Sequence, residues 1–238
     1  MQISRSPVHS ADVVEARTLT PRMRRLTIRS EAMVGLAIRP AQDVELHLSD
    51  VTGRRVKRRY TIRQARPEAG EFDLDVLLHG DGPGSTWGAT AMPGDHVSFQ
   101  GPRGKLELRP AAWHLLVGDE SALPAIAAIS EHVERAVAVI EVSGDADELP
   151  LPAGVDAHWV HRGDSAAGSA DFLLPVVQAL DLGSARDGRA YLMGETRSMV
   201  ALRAVLEAAG FAHDAIFVKG YWNIGRPDRI AGRTPGSA

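Results

Sequence analysis

Hydrophobic and polar positions follow two different rhythms along this chain. From Val8 to Leu108 they come in short alternating segments broken by glycine, proline and aspartate, the pattern of antiparallel strands with one face buried. "MRRLTIR" sets Leu26 and Ile28 on one face. "DVELHL" sets Val44, Leu46 and Leu48 opposite Glu45 and His47, and "EFDLDVLL" sets Phe72, Leu74 and Val76 opposite Asp73 and Asp75. With "RRYTIR" and "DHVSFQG" this predicts at least five strands, enough for a small closed barrel that hides its edges.

After Pro110 the rhythm changes. The run that ends at Gly118 is apolar throughout apart from His114, as a strand buried on both faces requires. "SALPAIAAISEHVERA" then reads as a helix, "VAVIEV" and "VDAHWV" as strands, "DFLLPVVQAL" as a helix, "AYLMG" as a strand, "TRSMVALRAVLEAAG" as a helix closed by Gly210, and "AIFVKG" as a last strand. Strand and helix alternate, which predicts a doubly wound parallel sheet. The fold expected is therefore an antiparallel β-barrel over residues 1–109 followed by an α/β domain over residues 110–238, with ligands in a cleft between the two and at strand carboxyl ends. Only the tail "GRTPGSA", residues 232–238, reads as disordered.

Composition narrows the possible chemistry. There are 238 residues, and 27 basic against 30 acidic side chains leave a net charge of −3, so the whole molecule offers no electrostatic case for nucleic acid. The distribution is uneven: Asp50 to Arg66 holds seven basic residues and one acid, whereas Asp119 to Glu148 holds eight acids and one base, Arg135. Without cysteine there are no disulfides, thiolate nucleophiles, zinc-thiolate sites or cysteine-ligated iron–sulfur clusters. His158 and His161 with Asp156 and Asp164 form only a loose cluster without metal-site spacing, so no metal site is expected. Neither a signal peptide nor an apolar run of membrane-spanning length is present, which predicts a cytoplasmic protein without membrane insertion, a monomer by default.

Two segments carry candidate chemistry. In "HGDGPGSTWGATAMPGD", Gly80, Gly82 and Gly84 bare the backbone, and Ser85, Thr86 and Trp87 open a short helix that Pro93 ends. Amides and a helix N-terminus thus converge as in a phosphate cradle, although such a run also serves as a plain turn. In "VKRRYTIRQ", Arg58 and Tyr60 share one strand face with Thr61 adjacent, so an arginine, an aromatic and a hydroxyl could meet a phosphate, a flat ring and a ring nitrogen. A solvated, arginine-rich strand with Tyr60 in the core fits the same residues. Together the two segments point to a dinucleotide.

"RRYTIR", "HGDGPGSTW", "PGDHVSFQGPRG", "VGDESALPAIAAI", "YLMGE" and "KGYWNIG" occur in the order found in the siderophore-interacting proteins, flavin-dependent ferric-siderophore reductases on a ferredoxin-reductase-like scaffold, and the chain resembles that family over nearly its whole length. The resemblance implies an FAD-binding barrel and an NAD(P)H-binding sheet. It implies a reaction in which electrons from NADH or NADPH reach a ferric siderophore through FAD and release Fe(II). It likens Arg58 to a flavin-phosphate ligand, Tyr60 and Thr61 to the residues at the flavin ring and its reactive edge, and Arg63 to a further flavin neighbour. His79, Gly80, Gly82, Pro83, Gly84, Ser85, Thr86 and Trp87 match the loop around the diphosphate. Asp119, Glu120 and Ser121 match the first strand-to-helix turn, where Ser121 stands for a threonine and is expected to cap the helix. Gly194 and Glu195 match the turn beside the nicotinamide cofactor. Tyr221 and Trp222 match an aromatic pair there, although the residues alone fit core or lid aromatics equally.

Where the family has arginine after that pair this chain has Asn223, with Arg226 or Arg229 as possible substitutes. Arg55, Lys57 and Lys219 are candidate contacts for an anionic ferric siderophore, although Arg54 and Arg55 also suit closing a hairpin at Gly53. The acidic "VSGDADELP" argues against a 2′-phosphate on the nucleotide and Arg162 argues for one, which leaves the donor open. A flavin reductase with another acceptor and a non-catalytic siderophore binder are the alternatives.

Overall fold

The computed structural model describes residues 7–182 and 187–225, which divide into two compact units between Glu107 and Leu108. The tail 232–238, Arg226 and Arg229 lie outside the described residues.

In the first unit six strands, β1 (His9–Thr20), β2 (Met23–Arg29), β3 (Asp43–Ser49), β4 (Arg55–Arg66), β5 (Glu71–Leu77) and β6 (His96–Arg103), close a barrel in the order β1-β2-β5-β4-β3-β6. Every ladder is antiparallel. The alternation seen in the sequence sorts the side chains: Leu26, Ile28, Val44, Leu46, Phe72, Leu74, Val76 and Phe99 fill the interior, each fully buried. The sixth strand, β1, is the one not named from the pattern. Its ladder to β2 shifts register between Val13 and Glu15 and again between Thr18 and Thr20, and such bulges erase a period of two.

The outward positions of β3 and β5 are acidic, and arginines from neighbouring strands cover them. Arg59 bonds Asp43 at 2.6 Å, Lys57 and Arg103 each reach Glu45 at 2.7 Å, and Arg66 reaches Asp73 at 2.8 Å. Burial works to raise the pKa of Asp73, but hydrogen bonds from Arg66 and Thr27 and the charges of Arg66 and Arg25 hold it below the usual carboxylate value. Lys57, Arg59 and Arg66, three of the basic residues between Asp50 and Arg66, are therefore matched across strands. Arg54 pairs with Asp50 at the β3–β4 hairpin, where Gly53 has φ +81°. Helix α1 (Pro83–Thr90) starts with proline in its first turn, and Gly88 admits it close to β5, for a Cβ there would lie 2.4 Å from Val76 Cγ1. Arg24 donates to the carbonyls of Gly88 and Ala89 at its far end.

The second unit runs β7 (Trp113–Asp119), α2 (Leu123–Ser130), β8 (Ala136–Val142), β9 (Val155–His161), α3 (Ala170–Ala179), β10 (Gly188–Glu195), α4 (Thr196–Ala208) and β11 (Ile216–Trp222). Its strands form one parallel sheet in the order β11-β10-β7-β8-β9. The chain moves outward from β7 to β9, then returns to β10 on the other side of β7. The crossover directions reverse between β7 and β10, and outside the carboxyl ends of such a pair an open α/β sheet binds its ligands.

Two expectations are corrected here. Helix α2 stops at Ser130 rather than reaching Ala136, because Ser130 Oγ and His132 Nδ1 bond back to the carbonyls of Ile126 and Ala128 and β8 begins at Ala136. Ser121 does not cap that helix: Ala122 holds the cap position, and the Ser121 hydroxyl donates to Asp119 instead. Among the described residues no helix is long and apolar enough to cross a membrane.

Candidate functional sites of the two units

In the barrel, β4 and the glycine loop converge. Arg58 and Tyr60 stand opposite Leu46 and Val44 in the β3–β4 ladder and are half-buried. Gly84 lies directly on them: a Cβ there would come 2.4 Å from Tyr60 Oη and 3.3 Å from Arg58 Cγ. Trp87, one helical turn on, has its ring centroid 6.1 Å from that of Tyr60. His79 N donates to Ser85 Oγ at 2.9 Å and so ties the loop's entry to the helix start. Around Gly80, with φ +56°, and Gly82, nothing lies within 4 Å of where a Cβ would be. Pro83 is half-buried and Thr86 exposed. Bare backbone with free space in front of it, next to an arginine and an aromatic ring, suits an anionic ligand with a flat ring.

Burial lifts the Tyr60 phenol far above its ordinary pKa, against the opposing charge of Arg58, so Tyr60 acts as a neutral packing surface. Thr61, adjacent to Tyr60, is buried level with Asp43 on the other strand face. Arg63 is half-buried where the β4–β5 ladder shifts register. Of the candidate substrate cations, Arg55 is exposed at the start of β4, whereas Lys57 is held by Glu45 at 2.7 Å and by Gln100 at 2.9 Å.

In the second unit the residues chosen from sequence gather at the β7–β10 switch point. The Asp119 carboxylate, 4% exposed, accepts Ser121 N and the Ser121 hydroxyl on one oxygen, and Glu195 N and Trp222 Nε1, each at 2.9 Å, on the other. Gly194 makes room for it with φ +150°, since a Cβ would sit 2.6 Å from Asp119 Oδ2. Glu195 caps α4 by accepting Ser198 N at 2.9 Å. Lys219 Nζ lies 4.9 Å from the Tyr221 ring centroid, and the Tyr221 hydroxyl points to Met193 Sδ at 3.7 Å. Glu120 turns inward and accepts Ser143 N and Arg162 Nη2 at 2.9 and 2.8 Å. The side chains of Asp119, Glu120 and Glu195 thus shape the switch point from inside.

Three residues here went unnoticed in the sequence. Gly168, φ +96°, lets Trp222 pass within 2.6 Å of a would-be Cβ, and Ser198 Oγ donates to its carbonyl. Only the glycine itself signals this. Glu141, 1% exposed, is pushed up to about 7 by burial and then by the Asp119 charge, against Arg162 and a Gly168 N–H. Its pKa is raised from about 4.5, so between those values the folded chain keeps a proton that the unfolded chain has lost. Stability is therefore expected to fall as pH rises from about 5 to 7, by on the order of 3 kcal/mol from this group. Urea unfolding of wild type and Glu141→Gln between pH 5 and 8 checks this: the variant should show a flatter curve, and equal slopes would refute the assignment. His158 pairs with Asp156 and His161 with Glu148, and no group of metal-ligating side chains occurs among the described residues.

The barrel and sheet match known proteins in the same two parts. Residues 41–106 match the siderophore-interacting FAD-binding domain and residues 111–225 the siderophore-interacting protein domain. An uncharacterised protein of Mycobacterium tuberculosis is 35% identical over 193 residues, 73% of this chain and 67% of its own. The ferric vibriobactin reductase ViuB of Vibrio cholerae is 34% identical over 183 residues, 72% of this chain, and the match spans 66% of ViuB. The crystal structure of a siderophore utilization protein from T. fusca superposes with a TM-score of 0.87 at 28% identity, covering 97% of this chain and 98% of that one. The chain belongs to the siderophore-interacting protein family, and β3 to β6 of its barrel lie within the match to that family's FAD-binding domain.

Proposed function

We propose that this protein is a cytoplasmic flavin-dependent ferric-siderophore reductase that takes electrons from NADH or NADPH and releases Fe(II). The observation that carries this reading is the contact of Gly84 with Arg58 and Tyr60, which leaves the open glycine loop beside an arginine and an aromatic ring within an FAD-binding domain. FAD supplies the conversion of a two-electron hydride donor into single electrons.

The protein's task is then to hold and orient. Arg58 holds phosphate, the backbone of Gly80 to Ser85 and the start of α1 take the diphosphate, and Tyr60 packs on the flavin ring, with Thr61, Arg63, His79, Thr86 and Trp87 completing the surroundings. In the second unit the Asp119–Ser121 turn, Gly194, Glu195, Tyr221 and Trp222 form the pyridine-nucleotide site at the switch point. The iron enters inside its chelator as substrate. Among the candidate cations for an anionic ferric siderophore Arg55 leads, for it is exposed, while Glu45 already neutralises Lys57 and Lys219 lies over Tyr221.

The test is optical. Purified protein loaded with FAD should show a flavin spectrum that bleaches on anaerobic addition of NADH or NADPH. The spectrum should recover on addition of a ferric siderophore as a ferrous-iron trap reports Fe(II). Bleaching without recovery would move the acceptor away from siderophores, and a protein that takes up no FAD would refute the reading.

A further inference from the structure

The carboxyl end of β7, β8 and β9 is acidic, and among the described residues there the one arginine, Arg162, is turned inward. Residues 119–170 contain two arginines and no lysine. Arg135 immediately precedes β8, where its carbonyl accepts His114 N. A seven-residue strand therefore separates it from the carboxyl end by roughly 20 Å. Arg162 directly follows β9 and is at the right end, but its side chain is only 3% exposed. Its Nη2 donates to Glu120 Oε2 at 2.8 Å, and its Nη1 lies 3.6 Å from Glu141 Oε1. Glu120 is in turn fixed by Ser143 N. The guanidinium is thus pinned between two carboxylates that arrive from the ends of β7 and β8.

The loop after β8 supplies only acids. Asp145 is exposed; Asp147 is buried with Oδ1 lacking a hydrogen-bond partner; Glu148 accepts or shares a proton with His161 Nε2 at 2.7 Å. In a doubly wound nucleotide-binding sheet, the segment about 20 residues past the first strand-to-helix turn reads the adenosine ribose: a carboxylate there accepts from the 2′-hydroxyl, and an arginine accommodates a 2′-phosphate. Counting from Ser121 in that turn, the segment is the carboxyl end of β8 at Glu141 and Val142, which runs directly into the loop of Ser143 to Glu148. A 2′-phosphate brings close to two negative charges and needs charge-assisted donors to offset them. Among the described residues at this end, the only arginine is already neutralised, and the only histidine at the end of β9, His161, sits on Glu148.

We infer that this chain selects NADH over NADPH, with the acidic Asp145–Glu148 loop excluding the 2′-phosphate and the Glu120–Arg162–Glu141 contact withholding the arginine that would otherwise accept it. The inference rests on the pyridine-nucleotide reading above and names its donor.

Binding decides it without turnover. FAD-loaded full-length protein is titrated calorimetrically with ADP-ribose and with 2′-phospho-ADP-ribose, which lack the nicotinamide ring, and then anaerobically with NADH and NADPH. ADP-ribose should bind at least tenfold more tightly than its 2′-phosphorylated form, and NADH more tightly than NADPH by a similar factor. Asp145→Arg, a change on an exposed loop that leaves the buried cluster intact, should narrow that ratio to threefold or less. Glu120→Gln, which keeps an acceptor for Ser143 N but releases one side of Arg162, should narrow it as well. Equal or tighter binding of the 2′-phosphorylated ligands by the wild type would overturn the inference and leave the reductase reading standing. Absence of binding by all four ligands would overturn both.

Discussion

Replacing Gly84 with alanine should cost the protein its flavin, lowering FAD affinity at least tenfold while the barrel stays folded. On helix propensity alone the change would favour α1 by about 1 kcal/mol, because alanine is the better helix former. The surroundings reverse the sign. The new methyl would lie 2.4 Å from Tyr60 Oη and 3.3 Å from Arg58 Cγ, so both side chains assigned to the flavin must move. The backbone is not the difficulty, since Gly84 has no positive φ. A companion variant separates displacement from general damage. With Tyr60→Phe the closest oxygen is gone, and the remaining ring carbon lies 3.6 Å from the added methyl, ordinary contact distance. The double variant should therefore recover most of the FAD affinity lost in Gly84→Ala, a coupling that a FAD titration of the four proteins measures directly. Strictly additive losses would show that Gly84 does not act through Tyr60.

The second large effect is expected at Asp119. Asp119→Ala removes the acceptor for Glu195 N and Trp222 Nε1 and for both Ser121 donors at the junction of β7, β10 and β11. Burial raises the pKa of this carboxyl, and the four donors work against that rise. Leaving buried donors unmatched should destabilise the second unit by about 3 kcal/mol. Because the residues assigned to FAD all lie in the first unit, the flavin spectrum should persist while bleaching by the nucleotide is lost. Loss of flavin together with nucleotide response would contradict this division of labour. Thermal unfolding followed separately by flavin release and by far-ultraviolet circular dichroism distinguishes the two outcomes.

What could be read in the sequence depended on how local its cause was. Strands β2 to β6 and the α/β alternation follow from neighbouring residues, and the structure has them. The bulged β1 was hidden because its register shifts are set by partners on β2. The same limit governed the charges. "VKRRYTIRQ" gives no sign that Arg59 and Lys57 are matched by Asp43 and Glu45, residues 16 and 12 positions earlier on another strand. Arg162 read as an available cation because Glu120, which holds it, lies 42 positions before it. Gly84, by contrast, was legible as part of a loop, but its point of contact required the third dimension.

Closure of the barrel also bears on how the chain acquires its fold. β1 is held on one side by β2 and on the other by β6, with His9 opposite Phe99, that is 99 − 9 = 90 positions away. Until β6 has left the ribosome, β1 lacks its second partner, and β3 lacks its pairing with β6 as well. During that interval two strand edges are open to other chains. Such long-range pairing is slow to form, and the second unit carries one of its own where β10 returns to β7, with Gly188 opposite Trp113. The barrel that carries Arg58, Tyr60 and the glycine loop is thus complete only when its first strand has met its sixth.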